Sequence, residues 1–442
     1  MPPLLAFITF LLTSAFGIAT LPSPSLPAFV QANEAPGAVA VRLQARIERD
    51  MHVAIPIDNV VSAMRLRDRL LRTLITVSFQ SDDQNASGAP AAWTLRLADH
   101  PEWIAMQVDR SSIAFALDEK QIANAIESAL PASFPRAEDA SALRGGNNPN
   151  RLIVSGMPHA GFTINTIDAA SRIAKAINAR NVSVTVPVAY DPGFLYVQTD
   201  NGIQKLTKLS TGRSNFAGST PGRSANVVKA LSLLNGAVMR SDHVFSFNAA
   251  LADGDGWYNS LVIVNGGDLV EAPGGGICQA ATTTFRAAVL AGLPVPVRAN
   301  HSLYVSHYQD YGVGIDATVM APAQDLKIAD DTGNPIVILA RNDGDDAYVD
   351  FYGVPDGRRV ALDGPYFGKT ASQTLLFDGS ALHINEIGWK ESVQYADGRV
   401  QNVDIVSRYN ALPRTLASQY PVPRGKAELE TLNETGSDIA SL

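Results

Sequence analysis

The chain of 442 residues has one cysteine, Cys278, seven histidines and only 7% aromatic side chains. A single cysteine excludes an internal disulfide framework. Lys+Arg number 35 against Asp+Glu 43, a formal charge of −8 without a basic stripe, so nucleic acid is not an expected partner. His52, His100 and His159 share no metal-ligand spacing, and neither CxxC nor HExxH occurs. No motif calls for a metal or a cofactor. Long apolar runs are scarce as well. Leu4 to Ala19 has the length of a signal-peptide core and falls short of the ~20 residues of a spanning helix. No Lys or Arg precedes it, and Val30-Gln-Ala32 offers a small-residue cleavage site. Residues 1–32 are therefore expected to be a signal peptide or anchor. The protein is expected outside the cytoplasm, in the cell envelope, secreted or held to the cytoplasmic membrane through residues 4–19.

The remaining length suits two or three domains. Ala38 to Ile47 reads as a short strand with Arg and Gln on one face. Asp58 is a good N-cap for a helix over residues 59–72, and Ile75 to Phe79 alternates like a half-buried strand. Strands are expected at 93–97 and 113–117, followed by a helix capped by Asp118 that runs to about Leu130. Residues 131–150, rich in Pro and Gly, read as a linker. A constant offset then carries Asp58 onto Asn165, Leu66 onto Ile173, and Ile75, Val77 and Phe79 onto Val182, Val184 and Val186. A helix and strand recurring with a cap point to two copies of one module, 58–79 and 165–186. Asp253-Gly-Asp-Gly-Trp-Tyr258 reads as a turn; it lacks the further acidic ligands and closing Glu of a calcium loop.

The stretch richest in chemistry is Gly274-Gly-Gly-Ile-Cys-Gln279. A helical pattern begins there and stops at Gly292, with Pro294 beyond. A helix opening at residue 277 or 278 leaves unpaired N–H groups and a positive dipole end beside the sulfur. Both favour a thiolate, and the same donors suit an oxyanion. Gly274, Gly275, Gly276 and Gln279 are thus candidates for the oxyanion loop. The rival reading comes from the helical face Cys278, Ala281, Phe285, Ala288 and Gly292, on which a lone cysteine is a small buried hydrophobe. Downstream, His301 follows an extended stretch, and His307 lies at even spacing from it within a Leu303, Val305, His307 alternation. Residues 311–319 read as a glycine turn and a strand carrying Asp316. A β-meander is expected over 326–328, 336–340 and 347–352, then a hairpin around Asp397-Gly398.

Val244-Phe-Ser-Phe-Asn248, the spaced glycines to Tyr258, the Gly274–Gln279 motif, Asn300-His-Ser302, Gly314-Ile-Asp-Ala-Thr-Val319 and Asp325-Leu-Lys327 together resemble a VanW domain. Ser224-Ala-Asn226 with Gly236 resembles its opening helix. The resemblance covers residues 215–340. The modules over 38–200 resemble the peptidoglycan-binding domains that often precede such a domain. A C-terminal β extension, 341–410, and a polar tail, 411–442, follow. The fold class is α+β: repeated helix–strand modules, then a mixed VanW-like domain with a β-meander. The resemblance implies a cell-envelope protein whose partner is peptidoglycan. It also implies a cysteine L,D-transpeptidase with Cys278 as nucleophile, His301 as base, Asp316 as its orienter and His307 as the alternative base. The other outcome is a non-catalytic wall-binding or accessory protein.

Overall fold

The computed structural model describes residues 19–20 and 36–410, apart from 82, 84–88, 146–147, 149, 242 and 265–267. The expected leader through residue 18, its cleavage site at 30–32, the hairpin turn at 265–267 and the tail 411–442 lie outside the described residues. Among the described residues, no helix is long and apolar enough to cross a membrane. Helices and strands are mixed in an α+β fold that divides into two compact units.

The first unit comprises the chain through Ala137 together with Ala160–Asp191. It opens with helix α1, Pro36–Met51, where a strand was expected. Val39, Ala40, Leu43 and Ile47 are buried at helical spacing, and that apolar period outweighs the β-branched content. Helix α2, Ile57–Leu71, starts after Pro56, so Asp58 lies in its first turn and is not its cap. There it faces the positive end of the dipole. Helix α3, Glu119–Ala129, is capped by Asp118, which accepts the N–H groups of Lys120 and Gln121. Helix α4, Thr166–Asn178, is capped by Asn165, which accepts the N–H of Asp168.

A four-stranded sheet runs in the order Trp93–Arg96, Leu74–Gln80, Ser183–Asp191, Gly161–Ile164. Its central strands are parallel, with Thr76 opposite Ser183 and Phe79 opposite Val186. That register reproduces the offset read in the sequence, and α2 and α4 end at corresponding residues, Leu71 and Asn178. The burial does not repeat in full: Ile75 is 1% exposed while Val182 is 79% exposed. A further strand, Ile104–Val108, pairs with Ile113–Leu117.

The second unit takes Glu138–His159 and the chain from Pro192 onward. The segment read as a linker contains a strand, Ala140–Arg144, whose buried residues Ala140 and Ala142 are too small to give a strand signal. Residues 138–159 and 192–200 thus leave the expected 38–200 module. The expected boundary at 341 also cuts a continuous strand, Ile336–Asp343. The main sheet has seven strands in the order Val238–Met239, Ile336–Asp343, Asp346–Gly353, Gly202–Asn215, Leu195–Thr199, Ala140–Arg144, Leu152–Ser155. Strand Lys327–Ala329 pairs instead with Val244–Ser246, outside this sheet.

Helix α5, Pro221–Leu234, begins at cap Thr220, earlier than Ser224, because Pro221 is preset for a first helical position. A short helix α6, Phe247–Ala250, follows Ser246. Asp325 accepts the Ser246 hydroxyl at 2.6 Å and the Asn248 N–H at 2.9 Å, joining two distant motifs. Helix α7, Ile277–Leu290, lies directly on the sheet: a Cβ on Gly212 would stand 2.0 Å from the Thr283 carbonyl oxygen. Its end is a Schellman turn, in which the Gly292 N–H reaches Val289 O and the Leu293 N–H reaches Ala288 O, both at 3.0 Å. A three-stranded sheet, Arg359–Phe367, Glu386–Gln394 and Val400–Arg408, packs Val360 and Val393 near Gly292.

Candidate functional site

Cys278 occupies the first turn of α7 and is half-buried. The preceding Gly276 has φ +112°, a left-handed conformation that favours glycine, and a Cβ there would stand 2.8 Å from Arg223 O. Asn226, buried on α5, braces the glycine turn. Its Nδ2 donates to Gly275 O and Tyr258 O, and its Oδ1 accepts the Tyr258 N–H, all at 2.9 Å. The Ile277 N–H bonds to Gly274 O and the Gln279 N–H to Gly276 O. Among the described residues, the Cys278 N–H has no acceptor, so it is the free helix-end donor beside the sulfur.

The Gln279 side chain does not face this donor. It is fully buried, its Nε2 donates to Ser214 Oγ and Asn215 O, and its Oε1 accepts Arg223 Nη2 at 2.7 Å. As an oxyanion donor it is corrected to a brace between α7, α5 and the sheet. Its amide is saturated by partners that hold the helix N-terminus in place.

His301 and Asp316 meet. His301 Nδ1 lies 2.6 Å from Asp316 Oδ2, and the His301 N–H donates to the same oxygen at 2.9 Å. The pair is 6% and 1% exposed, which makes the bond a buried, charge-assisted one. The other oxygen, Asp316 Oδ1, accepts the Tyr409 hydroxyl at 2.6 Å and stands 3.6 Å from Arg298 Nη2. The sulfur of Cys278 lies 3.5 Å from Thr318 Oγ1 and 3.4 Å from both Val319 N and Val319 O. As a thiol it donates to the carbonyl; as a thiolate it accepts the N–H and the hydroxyl.

Asp316 is not in a strand, although alternation suggested one. Residues 311–314 form a turn and 315–319 run on without ladder pairing, with most of their carbonyls claimed by side chains. Arg286, 2% exposed on α7, donates to the carbonyls of Ile315, Gly312, Tyr308, Asp310 and Arg213. Burial lowers its pKa to about 10. Arg298 donates to Asp316 O, Gly314 O, Val406 O and Ser407 Oγ. Thr282 exchanges hydrogen bonds with Ala317 N and O, both 3.1 Å.

The electrostatics couple three residues. Burial pushes the Cys278 thiol up. Hydrogen bonding and charge from His301, with the Val319 N–H and the Thr318 hydroxyl, outweigh it and hold the thiol below its ordinary value. Burial pushes His301 down, but Asp316 and Cys278 lift it to about 9. Burial opposes ionisation of Asp316, and His301 with Arg298 brings its carboxyl below the usual range. A depressed thiol coupled to a raised imidazole is an arrangement that favours transfer of the thiol proton to the imidazole.

His307 is elsewhere. It lies in a 3₁₀ turn, Ser306–Tyr308, not a strand, so it does not share a face with His301 by alternation. Burial and the charge of Arg223 lower it to about 4. The neighbouring Tyr308 ring, not His307, packs on His301, with centroids 5.0 Å apart.

Sequence reasoning missed Tyr409, Arg298, Arg286 and Arg223. Arg286 had a signal: it is the one charge in the otherwise uncharged α7. Tyr409 had none beyond alternation with Ser407, since it reaches the site only through the hairpin 386–408.

Comparison with known proteins is consistent with this geometry. Residues 222–352 match the family described as VanW like protein. A 139-residue stretch is 31% identical to the uncharacterized protein YoaR of Bacillus subtilis (strain 168). That match covers 31% of this chain and 45% of the relative, so the chain spans less than half of that protein's length. No solved structure matches.

Proposed function

We propose, from a chain whose residues 222–352 form a VanW-like domain of a vancomycin-resistance and cell-wall associated family, that the Cys278 site is a cysteine acyltransferase acting on peptidoglycan. The reaction is L,D-transpeptidation between stem peptides, carried out outside the cytoplasm. The observation that carries this reading is the chain of contacts from Tyr409 to Asp316 to His301, set beside the half-buried Cys278 with a free backbone donor.

The Cys278 thiolate attacks the carbonyl carbon of the L,D amide. The developing oxyanion receives the Cys278 N–H at the helix end. The His301 imidazolium then gives its proton to the leaving amine as the C–N bond breaks, and a thioester remains. The amine of a second stem attacks that thioester, its proton passes to His301, and the thiolate leaves. Asp316 fixes the tautomer and steadies the imidazolium in the manner of a triad acid. Water in place of the second amine gives hydrolysis. The helix–strand modules of the first unit serve in this reading to hold the wall polymer.

The test is incubation of the purified protein with disaccharide stem peptides, followed by mass spectrometry. Wild type is expected to give cross-linked dimers and an acyl adduct on Cys278, and Cys278→Ala neither. Dimers formed by Cys278→Ala at the wild-type rate, or wild type that makes neither dimer nor adduct, refute the reading. In the second case the accessory-protein reading replaces it.

A further inference from the structure

We propose that Arg223 is the substrate-recognition residue of this site, and that it receives a free carboxylate of the acyl-donor peptide close to the scissile amide. The inference rests on the acyltransferase reading and names the substrate class for it.

Several arginines of the second unit pair with carboxylates, whereas Arg151, Arg286 and Arg223 donate only to neutral oxygens, and of these three Arg223 adjoins the Cys278 turn. Arg213 pairs with Asp346, Arg298 with Asp316, Arg341 with Asp350, and Arg408 with Glu386. Arg223 donates only to neutral oxygens, Nη1 to Ser219 Oγ at 2.6 Å and Nη2 to Gln279 Oε1 at 2.7 Å. Among the described residues it has no carboxylate partner. These bonds orient the guanidinium and leave it N–H donors to spare. Gln279 is itself locked by Ser214 and Asn215, so the fork is held from a rigid wall.

It lies against the turn that carries the nucleophile. Arg223 is half-buried on the first turn of α5, and its Cγ would lie 3.2 Å from a Cβ on Gly276, two residues before Cys278. It bonds the residue that follows Cys278, and its charge is felt at His307 and Tyr308. A half-buried cation without a counter-ion loses hydration uncompensated by any neighbouring charge. A carboxylate delivered by the ligand restores it with a charge-assisted, two-pronged hydrogen bond. Gln279 and Ser219 then act as positioning residues for the fork, while the Cys278 N–H faces the reacting carbonyl.

Cys278 is the chain's single cysteine, so small alkylating reagents read this site alone. Rates with iodoacetate, an anion, and iodoacetamide, its neutral analogue, are compared on the folded full chain. Wild type is expected to favour the anion. Arg223→Gln is expected to lower the iodoacetate-to-iodoacetamide ratio about tenfold, the scale of one lost charge at close range in a partly wet site. Arg223→Lys, which keeps the charge, retains most of the ratio. Lys229→Gln, which removes a charge from the same helix away from the site, leaves it as in wild type. An unchanged ratio in Arg223→Gln, or an equal fall in Lys229→Gln, overturns the assignment alone. A folded wild type whose Cys278 reacts with neither reagent overturns the acyltransferase reading as well. With peptide donors, Arg223→Gln is expected to raise KM for the carboxylate form and to erase the preference over its amide. Equal losses on both donors overturn the substrate class.

Discussion

Asp316→Asn keeps the size of the side chain and removes the charge that touches His301. Burial alone would place His301 below 6.5; the Asp316 hydrogen bond leads the causes that lift it to about 9. That rise corresponds to roughly 3 kcal/mol of extra proton affinity. Without the carboxylate the imidazole returns toward its neutral form, and the cation that holds Cys278 down disappears. Each pK step up for the thiol cuts the thiolate fraction about tenfold at any pH below its titration. The assay is the rate of iodoacetamide alkylation against pH, with thiolate ultraviolet absorbance measured in parallel. Wild type should react from below the ordinary thiol range. Asp316→Asn should follow a curve displaced upward, with a rate on its acid limb lower by about tenfold for each pK step. Stability supplies a second readout. His301 has a raised folded pKa, so its contribution is full below about 6.5 and is lost as pH rises through about 9. The lowered Cys278 thiol offsets that loss, so the readout is the gap between the wild-type and Asp316→Asn denaturation midpoints, which should be widest below about 6.5 and narrow as pH rises toward about 9. Superimposable alkylation curves for the two proteins would refute the coupling.

Two further outcomes follow from the same groups and their surroundings. Tyr409→Phe removes the 2.6 Å hydroxyl bond to Asp316 Oδ1. A hydrogen bond to a charged group is worth about 1.5–3 kcal/mol, so the Cys278 alkylation curve should move in the Asp316→Asn direction by a smaller step. A variant with the wild-type curve shows that the hairpin 386–408 does not tune the site. Glu391, 5% exposed, has a buried Oε1 without a hydrogen bond, and burial lifts its carboxyl to about 7. The folded state therefore holds a proton that the unfolded chain releases from its ordinary 4.5 upward. Stability should decline as pH rises from about 4.5 to 7, and Glu391→Gln should remove that decline in denaturation midpoints. An unchanged slope in the variant would mean that the carboxyl is solvated.

The sequence by itself determined what local chemistry controls. The glycines before Cys278, the helix that starts there and its stop at Gly292 depend on φ preferences and on unpaired ends of a single segment, and all three are legible in order. So are the caps at Asp118 and Asn165, and the alternation of 74–80 and 183–191. Local signals misread Ala38 to Ile47, where a helical period competed with strand-like composition, and Ala140 to Arg144, whose small residues carry no period. Asp58 looked like a cap because the sequence cannot show that Pro56 already starts the turn.

Only the tertiary structure decided which groups meet. His301 and Asp316 are separated by 15 residues, and Tyr409 by 93 more from Asp316. Their contact depends on a loop held by Arg286, Arg298 and Thr282, not on any strand periodicity. His301 meets Asp316 across that loop, and a 3₁₀ turn at Ser306–Tyr308 ends the alternation that would put His307 on its face. The neutral partners of Arg223 likewise come from segments far apart in the chain, Ser219 just before α5 and Gln279 on α7. Such long-range pairings fix charge against charge only after the chain has closed large loops, so no window of sequence contains them.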